Sequence, residues 1–191
     1  PRGYPIPWFV AEVDGKRDFR VADGRKRVRA VRDRLCWLCG QKLGRYFAFV
    51  IGPMCAVNRN TSEPPCHRDC AEFAAQACPF LCLPDAKYRA ANLPEGASHQ
   101  PHALGGNPGA VCIWITNYYR PYKVEGGWLI QIGAPVETLW YAEGKPATRQ
   151  QILDCLDARL PLLHNIAKDE GPEAEAALAA QVQQTMALLP A

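Results

Sequence analysis

The sequence predicts an α+β fold, and three stretches carry that expectation. The runs Val111-Cys112-Ile113-Trp114-Ile115, Trp128-Leu129-Ile130-Gln131-Ile132 and 136–141 are rich in β-branched and aromatic residues and are separated by Gly and Pro, which is the pattern of an antiparallel β-meander. The segment from Thr148 onward carries apolar residues at helical spacing behind helix-starting signals. Between them and the N-terminus, residues 35–82 hold two tight clusters of Cys and His, the mark of an embedded finger. With 191 residues, 48% hydrophobic and 21% charged, the chain is long enough for one sizeable core. It reads as a single domain, 1–191, with the finger at 35–82, a long loop at 83–109, and the meander with its C-terminal helices at 110–191.

In order along the chain, Trp8-Phe9-Val10-Ala11-Glu12-Val13 and a run around Phe19-Arg20-Val21 flank Asp14-Gly15, so a β-hairpin is expected, closed by Asp23-Gly24. Val28, Val31 and Leu35 then recur at helical spacing among arginines, which predicts a short basic helix feeding the first Cys cluster. The run Tyr46-Phe47-Ala48-Phe49-Val50-Ile51 is too short for a helix and reads as a buried strand ended by Gly52-Pro53. Residues 55–62 read as a return segment or loop. A helix is expected from near Cys66 through Ala77, stopped by Pro79. Residues 83–109, rich in Pro, Gly, Asn and His, read as a functional or mobile loop. Near the C-terminus Thr148 and Gln151 form a capping box with the stripe Ile152, Leu153, Leu156, Leu160. Pro161 is expected to break that helix, a short one follows to Lys168, and Gly171-Pro172 opens a last helix striped by Leu178, Val182, Met186 and Leu189.

The nine cysteines are odd in number, and with no apolar signal-peptide core at Pro1-Arg2-Gly3-Tyr4-Pro5 their clustering favours metal over disulfides. Cys36, Cys39, His67 and Cys70 follow the order C-x2-C, 27 residues, H-x2-C. Three thiolates and an imidazole suit one structural Zn2+. Cys66 could replace His67, since Cys66 and Cys70 are also a helical turn apart, and Cys55 could displace a ligand. A second site from Cys66, Cys78 and Cys82 is a weaker pattern. Cys112 and Cys155 lie inside apolar patterns and read as core.

This stretch resembles a treble-clef zinc finger, similar in ligand order to the first half of a LIM domain. The chain as a whole resembles a group of uncharacterised bacterial and phage proteins with an RGYP-x-PWFV opening, a CW-x-CG knuckle and an ACPFL motif, here at residues 2–10, 36–40 and 77–81. That resemblance implies a single unit in a bacterial or phage setting and carries no activity.

Residues 1–70 contain 14 Lys and Arg against 7 Asp and Glu, while residues 71–191 contain 8 against 12. A basic face beside the finger, built from Lys26, Arg27, Arg29, Arg32, Arg34 and Arg45, therefore points to nucleic acid held by its phosphates, or to a protein partner. No apolar run approaches the roughly 20 residues of a membrane helix, so the expectation is a cytoplasmic protein without a membrane partner. Enzyme motifs are missing: there is no Gly-x-Ser-x-Gly, Walker loop, GxGxxG or deaminase signature, and no His between Cys39 and His67 where a treble-clef nuclease would carry one. A nuclease-like hydrolase using His99 and His102 in the 83–109 loop is the alternative to a non-enzymatic binding protein.

Overall fold

The structure is a computed structural model that describes residues 5–13, 15–83, 86, 107 and 109–191. His99 and His102, and nearly all of the expected 83–109 loop, lie outside the described residues. Strands β1 (Val10–Val13) and β2 (Lys16–Ala22) form the expected antiparallel hairpin. Helix α1 (Gly24–Arg32) follows at once, because the Asp23 carboxylate accepts from the Arg25 and Lys26 amides at 2.8 and 3.3 Å. Asp23-Gly24 is thus a helix cap as well as the end of the hairpin. The apolar stripe expected along this helix is displaced: Val28 is 51% exposed, and Ala30 is the fully buried position. The helix ends at Arg32, before Leu35 can join the stripe, so it packs through the 27, 30, 31 face instead.

Strand β3 (Phe47–Ile51) is the expected buried strand. The segment read as a return segment or loop at 55–62 holds most of helix α2 (Pro53–Asn58) and all of strand β4 (Asn60–Thr61). Pro53, which ends the strand, also starts this helix at a position where its missing N–H costs nothing. Helix α3 (Arg68–Ala77) begins two residues later than expected, since Cys66 pairs with Ala48 as an isolated antiparallel bridge and His67 is the N-cap. A four-residue turn of helix, α4 (Pro79–Cys82), follows.

The strand-rich region holds β5 (Val111–Thr116), β6 (Tyr119–Val124), β7 (Gly127–Ile132), β8 (Glu137–Ala142) and the short β9 (Lys145–Pro146). All pairings are antiparallel, but the strands expected as one meander are divided between two sheets, ordered β3-β5-β8-β9 and β4-β7-β6. β5 pairs with β3 and β8 and is buried at every position, so both of its faces are covered. The β6–β7 hairpin leaves that sheet and pairs with β4 instead. Helices α5 (Arg149–Asp157), α6 (Leu160–Glu170) and α7 (Pro172–Met186) complete the α+β architecture. The Thr148–Gln151 capping box is present. The expected break near Pro161 is present: α5 ends at Asp157, and Pro161 sits in the first turn of the helix that follows. One hydrophobic cluster runs from Ala30 to Leu189 and includes Cys36, Trp37 and Leu43 at the Cys and His cluster.

Candidate metal centre

Two local structures bring the four candidate ligands together. A small hairpin, bridged at Leu35 and Lys42, turns through residues 36–40, where the Gly40 amide donates to the Cys36 carbonyl at 2.8 Å and the Cys36 amide donates to the Gln41 carbonyl at 2.7 Å. Gly40 closes this turn with φ of +75°, a left-handed conformation that favours Gly. The turn presents Cys36 and Cys39. The start of α3 presents His67 as N-cap and Cys70 in the first turn. The ligand atoms of Cys36, Cys39, His67 and Cys70 all lie within 4.8 Å of one another. Zn–S bonds of about 2.3 Å and a Zn–N bond of about 2.0 Å in a tetrahedron require edges of roughly 3.5–3.8 Å, so only a small contraction separates this arrangement from a closed site.

The imidazole is already oriented for such a role. His67 Nε2 lies 3.0 Å from the Lys42 carbonyl, which can only accept, so Nε2 carries the proton and donates. Nδ1 is left with its lone pair facing the thiols, 3.4 Å from Cys39 Sγ and 4.0 Å from Cys70 Sγ. A carbonyl holding the far nitrogen of a ligating His fixes both tautomer and ring direction. No sequence signal pointed to this carbonyl.

Electrostatics divide the thiols into two kinds. The Cys36 thiol is drawn down to about 4 by a hydrogen bond from the Cys66 thiol and, against the opposing effect of burial, by backbone N–H groups of Cys39, His67 and Leu38. The Cys39 and His67 amides stand 3.5 and 3.4 Å from Cys36 Sγ. Correspondingly, the bond to Cys36 and complete burial push the Cys66 thiol well up. Cys66 is therefore a thiol partner of the candidate ligand Cys36 that does not itself belong to the four-residue group. Its backbone is held by Ala48 on the strand side of the finger, with Cys66 N donating to Ala48 O at 2.7 Å. Burial, followed by the charges of Cys36 and Cys39, pushes Cys70 up to about 12. Crowding of thiolates raises the cost of ionising Cys70, and a dication at the centre would relieve it.

The other cysteines stand apart. Burial pushes Cys55 up to about 11, and it lies on α2 outside the ligand group. Cys82 donates to the Ala75 carbonyl at 3.3 Å. Among the described residues, Cys36, Cys39, His67 and Cys70 are the one Cys and His group that could hold a metal ion, and Cys78 and Cys82 belong to none. Cys112 is fully buried in β5.

No family model, curated protein or solved structure matches this chain. The chemistry therefore rests on the donor set. Three sulfurs and one nitrogen within reach of one point are a borderline-soft donor set that could hold one metal ion and suits Zn2+. Among the described residues no helix is long and apolar enough to cross a membrane.

The basic residues are placed unequally. Arg27 is turned inward: its Nε donates to the Ser62 carbonyl at 3.0 Å, Nη2 donates to the Trp128 carbonyl at 3.3 Å, and the guanidinium stacks 4.2 Å from the Trp128 ring. Burial accordingly lowers its pKa. Lys26 donates to the Val10 carbonyl at 3.0 Å, and Arg29 lies 5.8 Å from the Trp8 ring. Arg32 pairs with Asp33, with bonds of 2.6 and 2.7 Å. Arg34 lies 5.5 Å from the Phe47 ring, and Arg45 lies 5.5 Å from the Tyr46 ring.

Proposed function

We propose that the protein is a zinc-stabilised, non-enzymatic binding protein that holds nucleic acid through the basic face running from α1 into the finger. One Zn2+ on Cys36, Cys39, His67 and Cys70 acts as a structural staple of treble-clef type. The knuckle, the strand bridged at Cys66 and the helix starting after His67 support that comparison, with α2 and β4 as the long connection of its hairpin. A reducing compartment such as the cytoplasm suits a site made of free thiols, and the resemblance to bacterial and phage proteins suggests the setting.

The observation that carries this reading is the coupling of the metal hairpin to the basic bend beside it. The Leu43 amide donates to the Arg34 carbonyl at 2.8 Å, and Lys42 Nζ donates to the Asp33 carbonyl at 2.6 Å. Metal on this hairpin would fix the backbone that carries Arg32 and Arg34. Lys26, Arg29, Arg32, Arg34 and Arg45 are the phosphate contacts of this proposal. Arg27 serves the fold, because its guanidinium is turned inward, partly buried, with Nε and Nη2 on carbonyls.

Two measurements test it. Elemental analysis of the purified protein should find one zinc, lost in Cys36→Ser together with thermal stability. Titration of DNA or RNA over a salt series should give binding whose log–log slope is about −0.7 to −0.9 per phosphate contacted. Absence of binding at low salt, or binding without a salt slope, removes the nucleic-acid reading.

A further inference from the structure

A cleft of about 270 Å³ lies where the end of α1 meets the start of β6, and Arg32, Arg34, Phe47, Tyr118 and Tyr119 are among the residues that line it. Its volume falls below the roughly 300–1,000 Å³ of sites for drug-sized ligands, so it suits one flat unit rather than a helix or a folded surface. The lining combines two cations with three aromatic rings. Tyr119 is fixed in the wall: its hydroxyl donates to the Val31 carbonyl at 3.2 Å, and its ring stands edge-on to Phe47 at 4.9 Å. Tyr118 differs, with 58% of its surface exposed.

The backbone beneath that exposed ring is nonetheless pinned. The Tyr118 amide donates to Thr116 Oγ1 at 3.3 Å, the Gly133 amide donates to the Tyr118 carbonyl at 2.9 Å, and Thr116 itself is fully buried. On the other side, Arg34 adopts φ of +51° as the left-handed residue that closes α1, where the Leu35 amide donates back to the Ala30 carbonyl at 2.9 Å, so the backbone beneath this arginine is fixed as well. Arg34 takes part in no ion pair among the described residues. Arg32 gives Nε and Nη2 to Asp33, which leaves Nη1 for an incoming acceptor.

We propose that this cleft seats one nucleotide of a single-stranded nucleic acid, with the base stacked on the Tyr118 ring and the adjoining phosphates held by Arg34 and Arg32. The inference rests on the polyanion reading above and narrows it. A duplex keeps the faces of its bases inside the stack and can offer only phosphates here, whereas every base of a single strand has a face free to stack. An acidic or phosphorylated peptide would satisfy the arginines but leave the broad aromatic wall with less to cover.

The test uses the full-length zinc-loaded protein with three probes of equal charge: a pyrimidine oligonucleotide, the same strand made abasic, and a duplex. Wild type should bind the normal strand about tenfold or more tightly than the abasic strand. Tyr118→Ala should lose that difference and leave duplex and abasic binding unchanged, and Tyr118→Phe should restore it. Arg34→Gln should reduce the salt slope by about one. Equal melting temperature and zinc content certify the variants, and the comparison of normal and abasic strands on wild type stands even if a variant fails to fold. Equal binding of all three probes, unaffected by Tyr118→Ala, overturns the cleft and leaves the polyanion reading in place. No binding to any probe at low salt overturns both. A phosphotyrosyl peptide that binds more tightly than the oligonucleotide, and is lost in Tyr118→Ala, overturns the nucleotide in favour of a peptide.

Discussion

At Gly40 a β-carbon would stand 2.7 Å from two atoms of the Trp8 indole, at a residue whose φ is +75°. Gly40→Ala therefore strains the backbone and forces the indole away. A loss of about 1–3 kcal/mol is expected in urea denaturation, together with weaker metal binding. Cys66 gives a different expectation. It donates to the Cys36 thiolate from outside the ligand set, so Cys66→Ala should keep one zinc per chain while affinity falls about 10- to 100-fold, as read by competition with a chelator. Loss of the zinc altogether would make Cys66 a ligand. The convergence of Cys36, Cys39, His67 and Cys70 was legible because two short-range spacings survive any fold between them. The role of Cys66 was not, because spacing alone placed it on a helical turn, whereas its amide is bound to Ala48 across the chain.

Among the elements, α1 shows how tertiary packing can override pattern. Its inward face includes Arg27, whose guanidinium joins the helix to the Ser62 and Trp128 carbonyls. Arg27→Ala should destabilise the protein by about 2–3 kcal/mol, since it leaves partly buried carbonyls unpaired and removes the stack on Trp128. Binding to nucleic acid, measured well below the melting temperature, should not change. The capping box at Thr148 was readable because a cap is a local event involving residues three apart. Division of the strands between two sheets was not readable, since pairing of β3 with β5 and of β4 with β7 joins segments far apart in the chain. The helix at Pro53–Asn58 was hidden by its brevity and by a proline that signals both an end and a beginning.

For the molecule as a whole, the segment that carries the Cys and His cluster shares its strand with the main sheet, for β3 pairs with β5, which follows residues 83–109 in the sequence. A fragment spanning residues 35–82 should therefore fail to show the thiolate-to-metal absorption of a cobalt-substituted site that the whole chain displays. Proton linkage gives a second global expectation. Without metal, Cys70 is pushed up to about 12 and keeps its proton at neutral pH, and zinc must displace that proton. Affinity should then rise with pH, about tenfold per unit for each proton released, across a competition titration from about pH 6 to about pH 8. A flat profile would mean that no proton leaves on binding.

The packing around Trp8 and Trp37 has a spectroscopic consequence. These indoles meet edge-to-face at 6.4 Å, Trp8 lies over Gly40, and Trp37 donates to the Glu63 carboxylate at 2.5 Å, whereas Trp114 is fully enclosed in the main sheet. Metal release would wet the first pair and leave Trp114 in its apolar surroundings. Intrinsic emission should therefore move only part of the way to the red on chelation, which makes it an internal gauge of whether a metal occupies the Cys and His group.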